Sequence, residues 1–316
     1  MSSAITGRAE RAIKTGRAGR AGRGVSPWGI AGGVLKYGIL IFGAFTIILP
    51  FIDMFLGAVK TIPEMRAEPP VWISRDPQWG VFLEVMHLLP MARLYTNSFL
   101  VSISVTFLVL FTSALAGFVL AKYRFPGRDL IFGFILATMM FPVFLFLIPN
   151  YYILRHIPFV GGNDITGWGG TGLMHSRLSL ILPFMVSAWG IFMLRQFAVG
   201  LPDELLDSAR IDGASEFRIF WQMILPQLKP ALATLAVFQF MGIWNEYLWA
   251  MTITTSAPEM MTVPVGIWLL RDSLDPMRNL ALIRAATAVA VVPIMILFVS
   301  LQKYYVKGIV MTGIKG

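Results

Sequence analysis

The stretch Phe99-Leu-Val-Ser-Ile-Ser-Val-Thr-Phe-Leu-Val-Leu-Phe-Thr-Ser-Ala-Leu-Ala-Gly-Phe-Val-Leu-Ala121 decides the fold class. It contains no charged side chain. A helix of about 20 such residues crosses a hydrocarbon layer roughly 30 Å thick. A lone span in lipid must pair its own N–H and C=O groups, and only a helix does so. Five more stretches are long and apolar enough to do the same: Val34–Ala58, Leu130–Leu154, Leu178–Phe197, Ala231–Ile253 and Leu280–Leu301. The expected fold is therefore all-α, a polytopic membrane protein with six transmembrane helices. Pro50, Pro142, Pro149, Pro183 and Pro293 fall inside these stretches and are expected at kinks.

Composition agrees. The 316 residues are 56% hydrophobic and 14% charged, with a mean hydropathy of +0.71. A soluble domain carries about 25% charged residues. The absence of cysteine excludes disulfides, thiolate metal sites and thiol catalysis. Three histidines, His87, His156 and His175, are too few for a histidine-built metal site, and no metal is expected. His156 and His175 share a segment with Asp164 and read as solvated; Gly161-Gly162 and Gly167–Gly172 read as a flexible turn in the same segment.

Charge orients the chain. The first 36 residues carry Arg8, Arg11, Lys14, Arg17, Arg20, Arg23 and Lys36 against Glu10 alone. Residues 1–29 are too poor in apolar groups to bury a core, and read as a disordered basic tail. Such a tail can bind nucleic acid; placed directly before an apolar span, it reads instead as a cytoplasmic anchor, with no nucleic-acid partner. With the amino terminus inside, inner segments carry 17 of the 26 Lys and Arg residues, and outer segments 9. That bias places both termini in the cytoplasm. Residues 30–303 then form the transmembrane domain, and 304–316 a cytoplasmic carboxyl-terminal tail. Arg284, near the start of the sixth span, is expected to extend toward the interface. The longest outer segment, 59–95, has four basic and four acidic groups plus Trp72 and Trp79, and reads as a docking surface.

The most informative inner segment is 200–228. Pro202, Asp203 and Glu204 suit a helix start. Leu205, Leu206 and Ala209 then share a face, and Gly213 ends the helix. A second amphipathic run carries Phe217, Phe220, Trp221 and Ile224 and closes at Leu225-Pro226. Elsewhere, Glu246 sits beside Asn245 at mid-depth in the fifth span, where a carboxylate costs about 2.5–3.5 kcal/mol to insert and must face protein or water. The pair reads either as acceptors for substrate hydroxyls or as a polar contact between helices.

Asp207-Ser-Ala-Arg-Ile-Asp-Gly213, nine residues, then Met223-Ile-Leu-Pro226 resembles the EAA loop of bacterial ABC importer permeases. Both spacings match, and Gly213, Leu225 and Pro226 match by identity; Asp207, Ser208 and Met223 depart from the pattern's Glu, Ala and Ile. Trp244-Asn-Glu-Tyr-Leu-Trp249 and the tail Gln302–Gly316 resemble the second permease of maltose-type carbohydrate systems. The resemblance implies the type I ABC importer permease fold in a bacterial inner membrane. It also implies a second homologous permease, a dimer of cytoplasmic ATPase subunits and an extracytoplasmic sugar-binding protein as partners. In the family this loop is a coupling helix docking in a groove on the ATPase. By position, Glu204, Leu205, Leu206, Asp207, Ser208, Ala209, Asp212, Gly213, Leu225 and Pro226 are the expected coupling residues, with Leu205, Leu206 and Ala209 packed in the groove. No Gly-x-x-x-x-Gly-Lys-Ser/Thr is present, nor any Gly-Lys pair, so ATP belongs to the partner and neither enzymatic activity nor a cofactor is expected here. A secondary transporter or channel for a small polar solute is the alternative; it calls for paired intramembrane charges or repeated broken helices.

Overall fold

A computed structural model describes the backbone of residues 27–272 and 276–313; the basic tail up to residue 26 and the last three residues lie outside the described residues. The order of helices is α1 (Pro27–Ala58), α2 (Ile62–Met65), α3 (Gly80–Leu88), α4 (Met91–Lys122), α5 (Arg128–Thr138), α6 (Leu147–Arg155), α7 (Leu178–Ile181), α8 (Ala188–Val199), α9 (Glu204–Ile211), α10 (Glu216–Ile219), α11 (Leu225–Gln227), α12 (Lys229–Trp244), α13 (Leu248–Thr254), α14 (Val263–Leu269) and α15 (Pro276–Gly313). No strand occurs among the described residues. Three helical runs are long and apolar enough to cross a bilayer: Gly32–Ala58, Met91–Lys122 and Arg278–Ser300. Three more crossings are bent pairs, giving up to six.

The chain divides after Asp53. Up to that point α1 is an apolar helix whose large side chains, from Val34 to Phe51, are exposed. The unit from Met54 onward is built around α4. Val101, Val105 and Val109 recur every four residues on one buried face, continued by Ser113, Ala114, Gly117 and Phe118. Lipid gives helices no hydrophobic reason to associate, so close packing of small residues takes over. A Cβ on Gly117 would sit 2.9 Å from the backbone nitrogen of Arg195 and 3.0 Å from Leu194 Cβ. One on Gly190 would sit 2.5 Å from Ser113 Oγ. Ser113 and Gly117 thus let α8 lie directly against α4.

Three spans expected as continuous are broken, and proline chemistry explains one. The run 130–154 bends by 97° between Thr138 and Val143. Pro142 has no N–H, and its ring drives the residue before it out of the helical region. The run 178–197 bends by 45° after Pro183, and α8 restarts where Ser187 Oγ accepts the Gly190 N–H at 3.1 Å. The fifth span, expected as one helix over 231–253, stops at Trp244 and resumes at Leu248. α15 continues through Gly313, so the helix does not end at the expected tail boundary of 303/304.

The segments 59–95 and 155–177 are more ordered than composition suggests. Glu64 closes a capping box with Thr61 and also accepts from Ser74 Oγ at 2.6 Å and the Arg75 N–H at 2.8 Å. These donors, Ser74 foremost, hold its carboxyl at about 2. The glycine-rich segment is a backbone knot rather than the flexible turn expected. Asn163 donates to the carbonyls of Arg155 and Ile157 and accepts from the Gly170 N–H, while Gly161, Gly167 and Gly172 at positive φ leave no room for a side chain. His156, expected in solvent, is half-buried between Tyr152 and Trp168, with ring centroids 4.2 and 4.4 Å away. Arg284 is half-buried, its guanidinium lying against Gly57.

The α4–α8 contact yields a test. Gly117→Leu should lower the unfolding midpoint of the detergent-solubilised protein, by roughly the 1–3 kcal/mol of an overpacked core. Gly133→Leu, on α5 with nothing within 4 Å of its Cβ, should leave the midpoint in place.

Candidate functional site

The segment 200–228 folds into two short helices set on the Lys122 end of α4. α9 ends in a turn fixed by two bonds: the Gly213 N–H donates to Arg210 O at 3.0 Å, and the Ala214 N–H to Ala209 O at 2.9 Å. This is the paired closure of a Schellman motif, with Gly213 at φ +78° in the left-handed region. Nothing lies within 4 Å of a Cβ at Gly213, so backbone conformation alone demands glycine there. Ser215 then caps α10, accepting the Arg218 N–H at 3.3 Å.

Leu206 and Ala209 point into the chain's own core together with Ile219, Phe220 and Ile224. This corrects the expectation that Leu206 and Ala209 fill a partner's groove: both are buried within the chain. Leu205 is partly exposed. Glu204, Asp207, Ser208 and Asp212 are exposed, as is Gly213. The residue missed by the sequence reading is Ile211, 85% exposed, with Phe217, six residues on across the turn, at 68%. The signal for Ile211 was available. It lies seven residues after Glu204 and four after Asp207, so it is an apolar residue on the polar face of α9.

A polar brace ties this loop to α4. Lys122 Nζ donates to Asp203 Oδ1 and to the Leu201 carbonyl. The Tyr123 hydroxyl donates to Glu216, whose carboxylate also takes Arg210 Nε at 2.8 Å; Arg210 reaches Asp207 at 3.1 Å. Arg210, and then Tyr123, hold the Glu216 carboxyl below the usual carboxylate range, and Lys122 does the same for Asp203. Burial, reinforced by Glu216, pushes the Tyr123 phenol up.

Leu225 and Pro226 form a corner. Residues Phe220–Ile224 make a π turn. Pro226 cannot donate to Gln222, and its ring crowds that carbonyl, so the preceding turn widens. The chain then bends 75° into α12. Leu225 packs on the core, while Pro226 is exposed.

Asn245 and Glu246 occupy the break between α12 and α13. Glu246 accepts the N–H groups of Trp249 at 2.7 Å and Ala250 at 2.9 Å, one on each carboxylate oxygen. A negative group at a helix N-terminus satisfies donors that lipid cannot. The carboxylate thus has a local role that neither sequence reading anticipated. Asn245 is exposed, donating to Met241 O at 2.9 Å. The flanking tryptophans pin the two halves: Trp244 Nε1 donates to Ala290 O at 3.2 Å, and Trp249 Nε1 to Ser179 O at 2.9 Å.

Residues 113–310, from the middle of α4 through the loop and nearly to the end of α15, match the family described as "Binding-protein-dependent transport system inner membrane component". The chain belongs to this family. The permease is 31% identical to the arabinooligosaccharides transport system permease protein AraQ of Halalkalibacterium halodurans, over 87% of this chain and 94% of that protein. It is 30% identical to the sn-glycerol-3-phosphate transport system permease protein UgpE of Pectobacterium atrosepticum, over 88% of this chain and 95% of that one. Its fold matches a solved bacterial ABC transporter involved in alginate import, with a TM-score of 0.72, 22% identity, and coverage of 89% of this chain and 98% of that one. The permease is thus an inner-membrane subunit of a binding-protein-dependent importer with the type I ABC importer permease fold, as its loop motif led one to expect. This takes the place of the secondary transporter or channel alternative.

Two outcomes test the site. Glu246→Ala leaves two N–H groups unpaired at a cost of about 1–3 kcal/mol each. It should lower the unfolding midpoint of the isolated permease and speed hydrogen exchange at 248–250, with Glu246→Gln intermediate because one acceptor oxygen survives. For the brace, a depressed carboxyl contributes stability that is fully present above its ordinary value of 4.5 and is lost as pH falls through its lowered value. Arg210 and Glu216 are both partly exposed, so the contribution is at most about 1 kcal/mol. Melting curves of wild type and Glu216→Gln should differ at pH 7 and converge as pH falls through the lowered value of the Glu216 carboxyl.

Proposed function

We propose that the permease forms half of the translocation path of an ATP-driven carbohydrate importer in the bacterial inner membrane, with both termini in the cytoplasm. It couples to a separate ATPase dimer through α9 and α10 and pairs with a second homologous permease. An extracytoplasmic binding protein delivers the sugar, docking on the outer segment 59–95. The carbohydrate assignment rests on the named cargo of AraQ and on the Trp244–Trp249 motif.

The observation that carries the coupling role is the exposed apolar pair Ile211 and Phe217, on a loop whose inner face is locked to the core. Exposed large apolar side chains on a polar, water-facing loop mark a protein contact. The polar brace and the Gly213 turn keep that pair at a fixed position relative to α4. A push on the loop then moves α4, and with it α8, as one body. Leu205, Asp207, Ser208 and Asp212 flank the contact.

Co-purification in detergent with the neighbouring gene products tests this. The wild-type chain should bring down an ATPase and a second permease. Ile211→Asp and Phe217→Asp should each release the ATPase while retaining the second permease. Gly213→Val should weaken the ATPase more than Gly213→Asn, since asparagine tolerates the left-handed region. Retention of the ATPase by both Asp variants would overturn the assignment.

A further inference from the structure

The break at 245–247 opens a cavity of about 400 Å³ between the end of α12, α14 and α15. That is within the roughly 300–1,000 Å³ range of small-molecule sites. Most of its lining is apolar, with Val263, Ile267, Ile283, Val291 and Ile294 beside the aromatic Trp244, Tyr247 and Trp268, and three polar groups are set into it: Asn245, Thr287 and Arg271. Tyr247 and Trp268 form an aromatic corner, their ring centroids 6.3 Å apart and tilted by 42°. Trp244 cannot swing into the space, because its indole is bonded to Ala290 O. Thr287 uses its hydroxyl proton on Ile283 O at 2.7 Å, which leaves its oxygen to accept. Asn245 uses one amide proton on Met241 O, which leaves the second proton and the carbonyl. Arg271 is the only charged residue among the described lining residues.

The aromatic and polar lining residues each suit one feature of a sugar. The C–H face of a pyranose is apolar and flat, and stacks on an aromatic ring. Its hydroxyls pair with an amide and a threonine oxygen. A guanidinium binds a carboxylate or phosphate through paired, charge-assisted hydrogen bonds. A neutral sugar or an acyl chain offers the arginine no charged partner. We propose that this cavity is a subsite for a pyranose ring carrying an anionic group, so that the permease itself selects for charged carbohydrate. This rests on the carbohydrate-importer reading and adds the substrate class and the residues Tyr247, Trp268, Arg271 and Thr287.

The test uses the permease–ATPase complex in nanodiscs, without the binding protein, and saturation-transfer NMR with three probes: methyl glucuronide, glucose 6-phosphate and methyl glucoside. The expected result is that at least one anionic probe binds tenfold or more tighter than the glucoside. Arg271→Gln should erase that preference, Arg271→Lys should restore most of it, and Trp268→Ala should weaken all three probes. Preference between the two anionic probes identifies the carboxylate or the phosphate as the group held. Equal binding of the glucoside, binding unchanged in both Arg271→Gln and Trp268→Ala, or a lipid chain filling the cavity would each overturn the proposal. Uptake in intact membranes separates the two readings. A wild-type importer that carries sugar with no charge preference overturns the subsite alone; one that carries no sugar overturns the carbohydrate reading.

Discussion

Every break in a membrane helix exposes N–H groups that lipid cannot satisfy, and the permease is shaped by how those groups are met. An unsatisfied backbone group costs several kcal/mol in hydrocarbon. At the restart of α8 the acceptor is Ser187 Oγ, and at the restart of α13 it is the Glu246 carboxylate. At the far end of α4, the fully buried Asn97 bonds the carbonyls of Glu259 and Met261 and accepts from Arg177, while Ser98 accepts the Val263 N–H. The irregular segment leading into α14 is thereby tied to the central helix. At these breaks a placed side chain turns an otherwise forbidden bend into a fixed corner.

Those corners make α4 the common support. Its small residues admit α8 along one side, its Asn97 end holds the segment before α14, and its Lys122 end holds the loop of α9 and α10. Elements that share one rigid neighbour cannot move independently. The site where a partner would press and the region of the α12 break, where a solute would pass, therefore connect through packed helices rather than through flexible linkers.

The helical class, the apolar membrane-crossing character and the loop motif were legible in the sequence because each depends on local pattern: length of apolar run and fixed spacing around Gly213. What was not legible depends on partners distant in sequence. Leu206 and Ala209 lie on an apolar face of a short helix, and periodicity cannot say whether such a face meets the chain's own core or another protein. Glu246 looked like a substrate or interface group because its actual partners are backbone amides three and four residues ahead, which become visible only once the helix is seen to stop at Trp244. The glycines of 161–172 looked flexible for a similar reason. Glycine serves both loose turns and backbone crossings too tight for a Cβ, and composition does not distinguish them.

Burial of Leu206 and Ala209 also constrains how force can enter. Had the whole apolar face of α9 been exposed, the helix would be held to the permease by the brace alone, and surface ion pairs contribute about 1 kcal/mol or less. A partner gripping such a helix would pull it away before moving anything else. With Leu206, Ala209, Ile219 and Phe220 inserted in the core, detaching the loop requires exposing several large apolar side chains at about 1.5–3 kcal/mol for each large one. The inner face of the loop resists separation while its outer face, at Ile211 and Phe217, remains open to contact. The same short segment can thus transmit a push or a pull without coming loose, which is the mechanical requirement on any element that links an energy-yielding partner to a path through the membrane.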